Sequence, residues 1–454
     1  MSAFDFLNRE NTVAPTGYNR WLVPPAALCI HLCIGEAYAF SVFNLPLTKL
    51  IGITKSAPAD WSLADVGWIF SVAIVFLGLS AAFSGAWVDR VGPRKAMTLA
   101  AFCFGGGFMV AAVGVSIHSL LLIFLGYGVL GGTGLGVGYI SPVRTLMTWF
   151  PDRPGMATGM AIMGFGGGAM IAAPLSVLLM HHYATAGSLG VVPTFVTLGI
   201  IYAAFMLFGG VIVRVPGAGW VPAGYVASTV AQKLVTTNHV AADRAMATPQ
   251  FYLIWLVLFL NVTAGIGVLS QASPMIQEMF HGQVTPLTAA GFVGFLSLFN
   301  MGGRFFWASL SDRLGRKPTY FVFFFLGIVL YILVPHTALL GSISLTALCF
   351  GVILSMYGGG FATLPAYLRD IFGLRHVGAI HGRTLTAWSA AGVMGPVLVD
   401  YIRQYQIGQG VAKADAYTVT LYIMAGLLLV GAICNALISP VDAQHHEAIA
   451  SAAE

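Results

Sequence analysis

Charge is what this sequence has least of. Only 8% of its 454 residues are Asp, Glu, Lys or Arg and 58% are hydrophobic, whereas a soluble chain runs at roughly a quarter charged. Such a composition cannot cover a water-facing surface, so lipid is the expected solvent. Cysteine is scarce as well. Cys29, Cys33, Cys103, Cys349 and Cys434 all fall within apolar stretches, which speaks against a disulfide framework. Cys29, His31 and Cys33 do not make a metal site, because on one helix His31 points away from both thiols. Residues 1–20 lack a basic segment followed by a short apolar core, so no cleavable leader is expected. Also missing are a nucleophile beside a base and a pair of acids at catalytic spacing, so no enzyme activity, cofactor or metal is expected. Gly126-Tyr127-Gly128-Val129-Leu130-Gly131 matches a dinucleotide fingerprint only as a string. No strand precedes it and no acid follows about 20 residues on. These glycines read instead as a face for close helix packing.

What is present is length without charge. Crossing the hydrocarbon core takes about 20 apolar residues, and twelve such stretches can be placed, the first at 21–46 and the eleventh at 384–401. In lipid every backbone polar group must be bonded internally, so each stretch reads as a helix. The expected fold is an all-α membrane protein of twelve transmembrane helices in two parallel six-helix halves. Residues 1–20 form a cytoplasmic tail, 21–213 the N-terminal bundle, 214–249 a cytoplasmic linker, 250–438 the C-terminal bundle and 439–454 a second cytoplasmic tail. The linker holds Pro216, Gly217, Gly219, Pro222 and Gly224, with a short surface helix expected near 225–235. Of 21 Lys and Arg residues, 15 fall on the side of the termini. Basic residues collect on the cytoplasmic face, so both termini are expected there, in a cell (inner) membrane. The net charge of +5 is spread over these short loops and is no signal for nucleic acid.

One motif occurs twice. Gly85-Ala-Trp-Val-Asp89-Arg90-Val-Gly92-Pro-Arg94-Lys95 returns as Ala308-Ser-Leu-Ser-Asp312-Arg313-Leu-Gly315-Arg316-Lys317, with the aspartates 223 residues apart, about half the chain. Each copy follows the second span of its half, so the halves run in the same sense. An Asp at a helix end beside bases and a glycine turn can pair with a neighbouring helix in one conformation only. Asp89, Arg90, Asp312 and Arg313 are therefore candidate parts of a conformational latch. Both copies resemble the loop between helices 2 and 3, and its repeat between helices 8 and 9, of the major-facilitator transporters. Gly164-Phe-Gly166-Gly167-Gly168 with Pro174 similarly resembles that family's fifth-helix glycine/proline motif.

Ionisable residues deep in a span are candidate functional sites, since an Arg at the centre costs about 2.5–3.5 kcal/mol to insert. Arg304 lies eight residues before Asp312, about 12 Å from the helix end. Ser297, Asn300, Trp307 and Ser311 share its face, a polar stripe expected to line a cavity. No carboxylate accompanies it, and a planar fork of donors at low dielectric suits a carboxylate ligand. Glu36 and His31 are candidate proton sites. At 100° per residue Glu36 points about 160° from Tyr38, while His31 lies within about 20° of Tyr38's direction. Arg144, about two turns from the cytoplasmic end of its helix, fits a gate or a snorkelling side chain.

Three strings narrow the likeness: Asn300-Met-Gly-Gly-Arg304-Phe-Phe-Trp307, Trp149-Phe-Pro-Asp152-Arg153-Pro-Gly155-Met-Ala-Thr-Gly159 and Arg214-Val-Pro-Gly-Ala-Gly-Trp220-Val-Pro222-Ala-Gly. They resemble the oxalate/formate antiporter family, which is related to the monocarboxylate transporters. That resemblance implies that Arg304 grips the substrate carboxylate, and that Tyr38, Tyr139, Tyr357 and Trp388 form an aromatic cage over it. It also exposes a departure: the family's eleventh-helix lysine would fall at Ala391. A dicarboxylate taken out of water needs two positive partners. The expected cargo is therefore a small monocarboxylate such as lactate, pyruvate or formate, carried by alternating access with proton symport or anion exchange. The first-helix lysine of the animal monocarboxylate transporters is also absent, Val42 standing in its place. The rival readings are a dicarboxylate antiporter in which Arg144 supplies the second charge, and a non-transporting anion sensor. The expected partners are the carboxylate, protons and the bilayer, and the expected working unit is a monomer.

Overall fold

The structure is a computed structural model that describes residues 5–223 and 234–447. Most of the surface helix expected near 225–235 lies outside them. Twelve long helical segments follow in order. The first, α1, is Val23–Ile34, continued by a 3-10 stretch Gly35–Phe43 and a last turn Asn44–Leu47. Then come α2 (Leu63–Val91), α3 (Pro93–Ser116), α4 (Leu120–Trp149), α5 (Pro154–Tyr183) and α6 (Val191–Ile212). The second half holds α7 (Pro249–Met279), α8 (Pro286–Leu314), α9 (Arg316–Leu339), α10 (Ile343–Phe372), α11 (Val377–Gly408) and α12 (Thr418–Leu437). Eleven helical segments are long and apolar enough to cross a membrane by composition. The remaining one, α8, carries Asn300, Arg304, Asp312 and Arg313.

Helix starts follow capping chemistry. Ser62 and Asp65 form a reciprocal capping box on α2, and Thr248 and Thr285 cap α7 and α8 with proline in the first turn. The repeated motif folds the same way twice. Gly92 and Gly315, the turn glycines that end α2 and α8, both sit at φ 86°, a region that excludes most side chains.

Small residues then set how closely the helices approach. On α5, a Cβ at Gly168 would strike the Leu32 carbonyl and Gly35 of the α1 segment at 2.4 and 2.7 Å, and one at Gly155 would strike the Ala308 carbonyl of α8 at 2.1 Å. The glycine-rich helix is thus wedged between the two halves at backbone contact. The glycines of Gly126–Gly138 do the same inside the first half, where Gly126 meets Gly107 and Ala111 of α3 and Gly136 meets Leu77 of α2. They lie in a π-helical turn and the helix after it, which is a packing role and no nucleotide loop.

The halves meet mainly through α5 against α8 and α2 against α11, which are equivalent pairs under the repeat. The two Asp-Arg loops share one face of the bundle, here the loop face. Both tails lie on it: Val13 bridges to Val215, and Glu447 pairs with Arg375 and His376.

Candidate functional site

At the loop face, each repeated aspartate caps a helix of the opposite half. The Asp312 carboxylate, at the end of α8, accepts from the Gly155 and Met156 N–H groups at the start of α5, both at 2.8 Å. Asp89, at the end of α2, accepts from the Ala379 N–H at the start of α11, at 3.2 Å. A helix N-terminus presents unpaired donors and a positive dipole end, and each carboxylate supplies acceptors to it. The bases differ from expectation. Arg90 and Arg313 are exposed and stand outside both contacts. Their places are filled by Arg144, which pairs with Asp89, and by Arg316, which bridges Asp312 at 2.6 Å and Asp370 at 3.2 Å. Arg90 and Arg313 project outward because the helix turn preceding each glycine aims its Asp, and not the next residue, at the other half.

Deeper in, Arg304 is fully buried on α8. Its Nε donates to the Asn300 side-chain oxygen one turn earlier at 3.0 Å, and Nη1 to the Ile162 carbonyl of α5 at 3.4 Å. Nη2 has no partner in hydrogen-bonding geometry, and the Tyr38 and Tyr139 hydroxyls are the guanidinium's polar neighbours. The guanidinium lies between two phenyl rings from opposite halves, 5.5 Å from Phe165 and 5.3 Å from Phe361. The rest of its polar stripe turns elsewhere. Trp307 donates to Ser355 of α10 and Ser311 accepts from Arg316, so the stripe meets protein over most of its length and no open cavity.

The four aromatic residues named from sequence are brought together around Arg304. Trp388 touches Tyr139 at 5.4 Å and Tyr38 at 6.3 Å between ring centroids, as well as Phe165 at 5.2 Å and Phe361 at 4.4 Å. The Tyr38 and Tyr357 hydroxyls, from opposite halves, are 2.8 Å apart. Phe165 and Phe361 were not among the residues read from sequence; each stands in a glycine run, Gly164-Phe165-Gly166 and Gly358-Gly359-Gly360-Phe361, where the lone bulky residue is the available signal. The Tyr139 hydroxyl and the Trp388 indole N–H are buried without a partner, like Arg304 Nη2. Buried polar groups left unpaired cost about 1–3 kcal/mol each, so a small group with several acceptors would repay its entry here.

A cavity of about 640 Å³ leads toward this cage from the face opposite the loops. Tyr38 lies at its inner end, Asn44, Trp68, Ser270, Gln271 and Gln404 line it, and among the described residues none of its lining is charged. On the loop side the latches and the α5–α8 contact close the way.

The two candidate proton residues part company. Glu36 is buried and accepts from the Tyr127 hydroxyl at 2.9 Å, inside the first half and turned away from Arg304. His31 is equally buried, its ring edge-on to Tyr139 at 5.4 Å, and neither nitrogen has a hydrogen-bond partner. A second buried histidine, His381, lies 5.9 Å from the Tyr139 ring. It escaped sequence reading because it precedes the expected start of its span.

Comparison with known proteins adds the family. The model of the Major Facilitator Superfamily matches residues 26–396. The oxalate:formate antiporter of Oxalobacter formigenes is 27% identical over 399 residues, covering 86% of this chain and 87% of its own. Apicoplast pyruvate carrier 1 of Toxoplasma gondii is 23% identical over 446 residues, covering 86% of this chain and 78% of its own. Among solved structures, the E. coli fucose:proton symporter FucP superposes with a TM-score of 0.64 at 15% identity, over 93% of this chain and 100% of that one, a likeness of fold alone.

Proposed function

This chain belongs to the Major Facilitator Superfamily, a multi-pass membrane transporter and no enzyme, and we propose that it is a secondary transporter of small monocarboxylates. The observation that carries the reading is Arg304: one buried guanidinium, one nitrogen unpartnered, between Phe165 and Phe361. Water is excluded there, so attraction to an anion is far stronger than in bulk solvent. In this reading Arg304, held by Asn300, binds the carboxylate, and Tyr38, Tyr139, Tyr357 and Trp388 close over it. Asp89 with Arg144, and Asp312 with Arg316, hold the loop face shut until the anion is occluded. Substrate enters by the 640 Å³ cavity and leaves on the loop face. The excess of basic residues in its loops supports a cytoplasmic side for that face, in a cell (inner) membrane and with a monomer as the working unit in this reading.

Relatives named as an oxalate:formate antiporter and a pyruvate carrier agree with a small carboxylate. Between those two names, monovalent cargo is favoured. Ala391 stands where the resembling family has lysine, and Arg144, the other spare base, is engaged by Asp89. A dicarboxylate would leave one charge buried and unpaired. The test is uptake by the reconstituted protein of formate, lactate, pyruvate and oxalate, with Arg304→Ala and Arg304→Lys alongside. The reading expects monocarboxylate uptake that both substitutions abolish. It fails if uptake of every small carboxylate survives them.

A further inference from the structure

A second large cavity shares no lining residue with the entrance cavity. It is a groove of about 650 Å³ at the loop-side end of the bundle. One wall is α2, through Phe83 and Ala86, a turn or two before Asp89. The other is the first two turns of α7, through Tyr252 and Trp255. The walls therefore belong to opposite halves. Trp255 is fixed in place by its indole N–H, which donates to the Thr386 hydroxyl of α11 at 2.8 Å. Phe83 is 84% exposed, and Tyr252 is exposed as well. In a chain solvated by lipid, aromatic rings left open within two turns of a span's end face the bilayer near its interface.

One end of the groove is polar. Arg383 stands six residues into α11, about 9 Å from the helix start at 1.5 Å per residue, and its long side chain reaches the linker. There Nη2 donates to the Asp243 carboxylate at 2.6 Å. Nη1 has only the Met246 sulfur among the described residues, at 3.2 Å, and a thioether is a weak acceptor. Asp243 is a weak competitor for the guanidinium. It lies on the short linker helix Ala242–Met246 with its side chain 91% exposed, and an ion pair with one partner in water is worth little. Arg244, next to it, is exposed and donates to the His446 carbonyl. Two bases against one acid leave one positive charge at this end. Among the described residues, Arg383 and Asp243 are the charged part of the lining.

We propose that this groove seats one anionic phospholipid, with a phosphate oxygen on Arg383 and an acyl chain between Phe83 and Tyr252. Each end argues for that occupant. A basic pocket between spanning helices suits a phosphate headgroup, and an apolar channel open to the bilayer suits a chain. The seat also depends on conformation. Beside the groove α2 and α11 touch at backbone distance: a Cβ at Gly85 would strike Ala379 at 2.7 Å, and one at Gly382 the Ala81 carbonyl at 2.1 Å. Opening the loop face parts these helices, and the two walls of the groove with them. The lipid therefore binds the closed form better and favours it by that difference. This last step rests on the reading of Asp89 as a latch; the lipid seat rests neither on it nor on Arg304.

Native mass spectrometry of the full-length protein tests the seat, with short-chain phosphatidylglycerol, short-chain phosphatidylcholine and glycerol phosphate as probes. One phosphatidylglycerol should bind about fivefold more tightly than phosphatidylcholine, the effect of one basic residue on an anionic lipid. Glycerol phosphate, a headgroup without chains, should bind far more weakly. Arg383→Gln should remove the preference between the lipids. Asp243→Asn, which removes the competing acid at an exposed position, should tighten phosphatidylglycerol binding about twofold. Equal affinity for the two lipids in the wild type overturns the proposal, as does a preference that survives Arg383→Gln. Glycerol phosphate binding as tightly as the lipid makes this a phosphate site and overturns it too. Should Arg383→Gln fail to fold, Asp243→Asn decides, since unchanged or weaker binding contradicts the proposal. In phosphatidylcholine nanodiscs, adding phosphatidylglycerol should raise the closed population severalfold, read as spin-label distances between the loop-side ends of α2 and α11. Unchanged distances overturn the conformational step. Loss of carboxylate uptake in every lipid would count against the Arg304 site and leave the lipid seat standing.

Discussion

Asp89 and Asp312 hold equivalent places in the two halves and make equivalent contacts, each capping the first turn of a helix across the interface. Arg304 has no such twin. Eight residues before Asp89, its counterpart is Ala81, buried beneath the Gly382 backbone. The repeat is kept where the halves grip one another and broken at the proposed anion site. The reason is physical. A rocking motion needs the same contact made and released at both ends of the interface. A small ligand of single charge needs one base, and a second would remain buried without a partner.

The largest departure from that picture should come at the centre. Trp388 packs on rings from both halves, and Trp388→Ala should weaken monocarboxylate binding about 30-fold or more, the roughly 2 kcal/mol or more of a buried aromatic binding anchor. Binding by calorimetry checks it, and a loss below about fivefold would mean the cage holds nothing. Next come the latches. Asp312 accepts two N–H bonds and Asp89 one, so Asp312→Asn should open the loop face further than Asp89→Asn. At about 1.5–3 kcal/mol per charged hydrogen bond, the open population should rise about tenfold or more, read as spin-label distances between the loop-side ends of α5 and α11. Equal effects would show that the bases, and not the helix ends, carry the latch. Tyr38→Phe removes the hydroxyl pair at 2.8 Å that joins the halves above the anion. It should cost about 1 kcal/mol, roughly fivefold in affinity, with little change in melting temperature.

The smallest effect lies outside both regions. Burial works against ionising Asp152, but its bonds from Arg20 at 2.6 and 3.0 Å outweigh this and hold the carboxyl below its ordinary range. The stability this pair provides is complete above the unfolded carboxylate value of about 3.9 and is lost only as pH falls through the lower folded value. Asp152→Asn should therefore lower the melting temperature by the same small amount from about pH 5 to pH 8, and the difference should shrink only below about pH 4. A difference that changes between pH 5 and 8 would contradict this.

Much of the architecture was legible because lipid leaves so few options: apolar runs of the right length must be helices, and a repeated Asp-Gly turn fixes their sense. The first and eleventh spans were less so. The α1 segment passes into a 3-10 stretch at Gly35, where the helix meets the Phe165 carbonyl at backbone distance, and α11 begins at Val377, well before residue 384. Arg304 stood out in the sequence, since a lone deep base cannot be hidden. Phe165, Phe361 and His381 did not, because a phenylalanine among apolar residues or a histidine near a span's edge carries no mark of what it faces across the interface. The bases of the latch were misjudged for a related reason: Arg144 reaches Asp89 from another helix, a contact the motif does not spell out, and on the second copy it is Arg316, four residues on, and not Arg313 that turns back to Asp312.

The central claim is that Arg304 binds one carboxylate in a site made for a single charge. Competition at that site tests it most directly: calorimetric titration of pyruvate into the purified protein, repeated in the presence of oxalate and with Arg304→Lys. The account predicts that pyruvate binds, that oxalate displaces it poorly, and that Arg304→Lys, which keeps the charge but loses the planar fork, binds it at least about tenfold more weakly. Oxalate binding more tightly than pyruvate, or undiminished binding by Arg304→Lys, would contradict it.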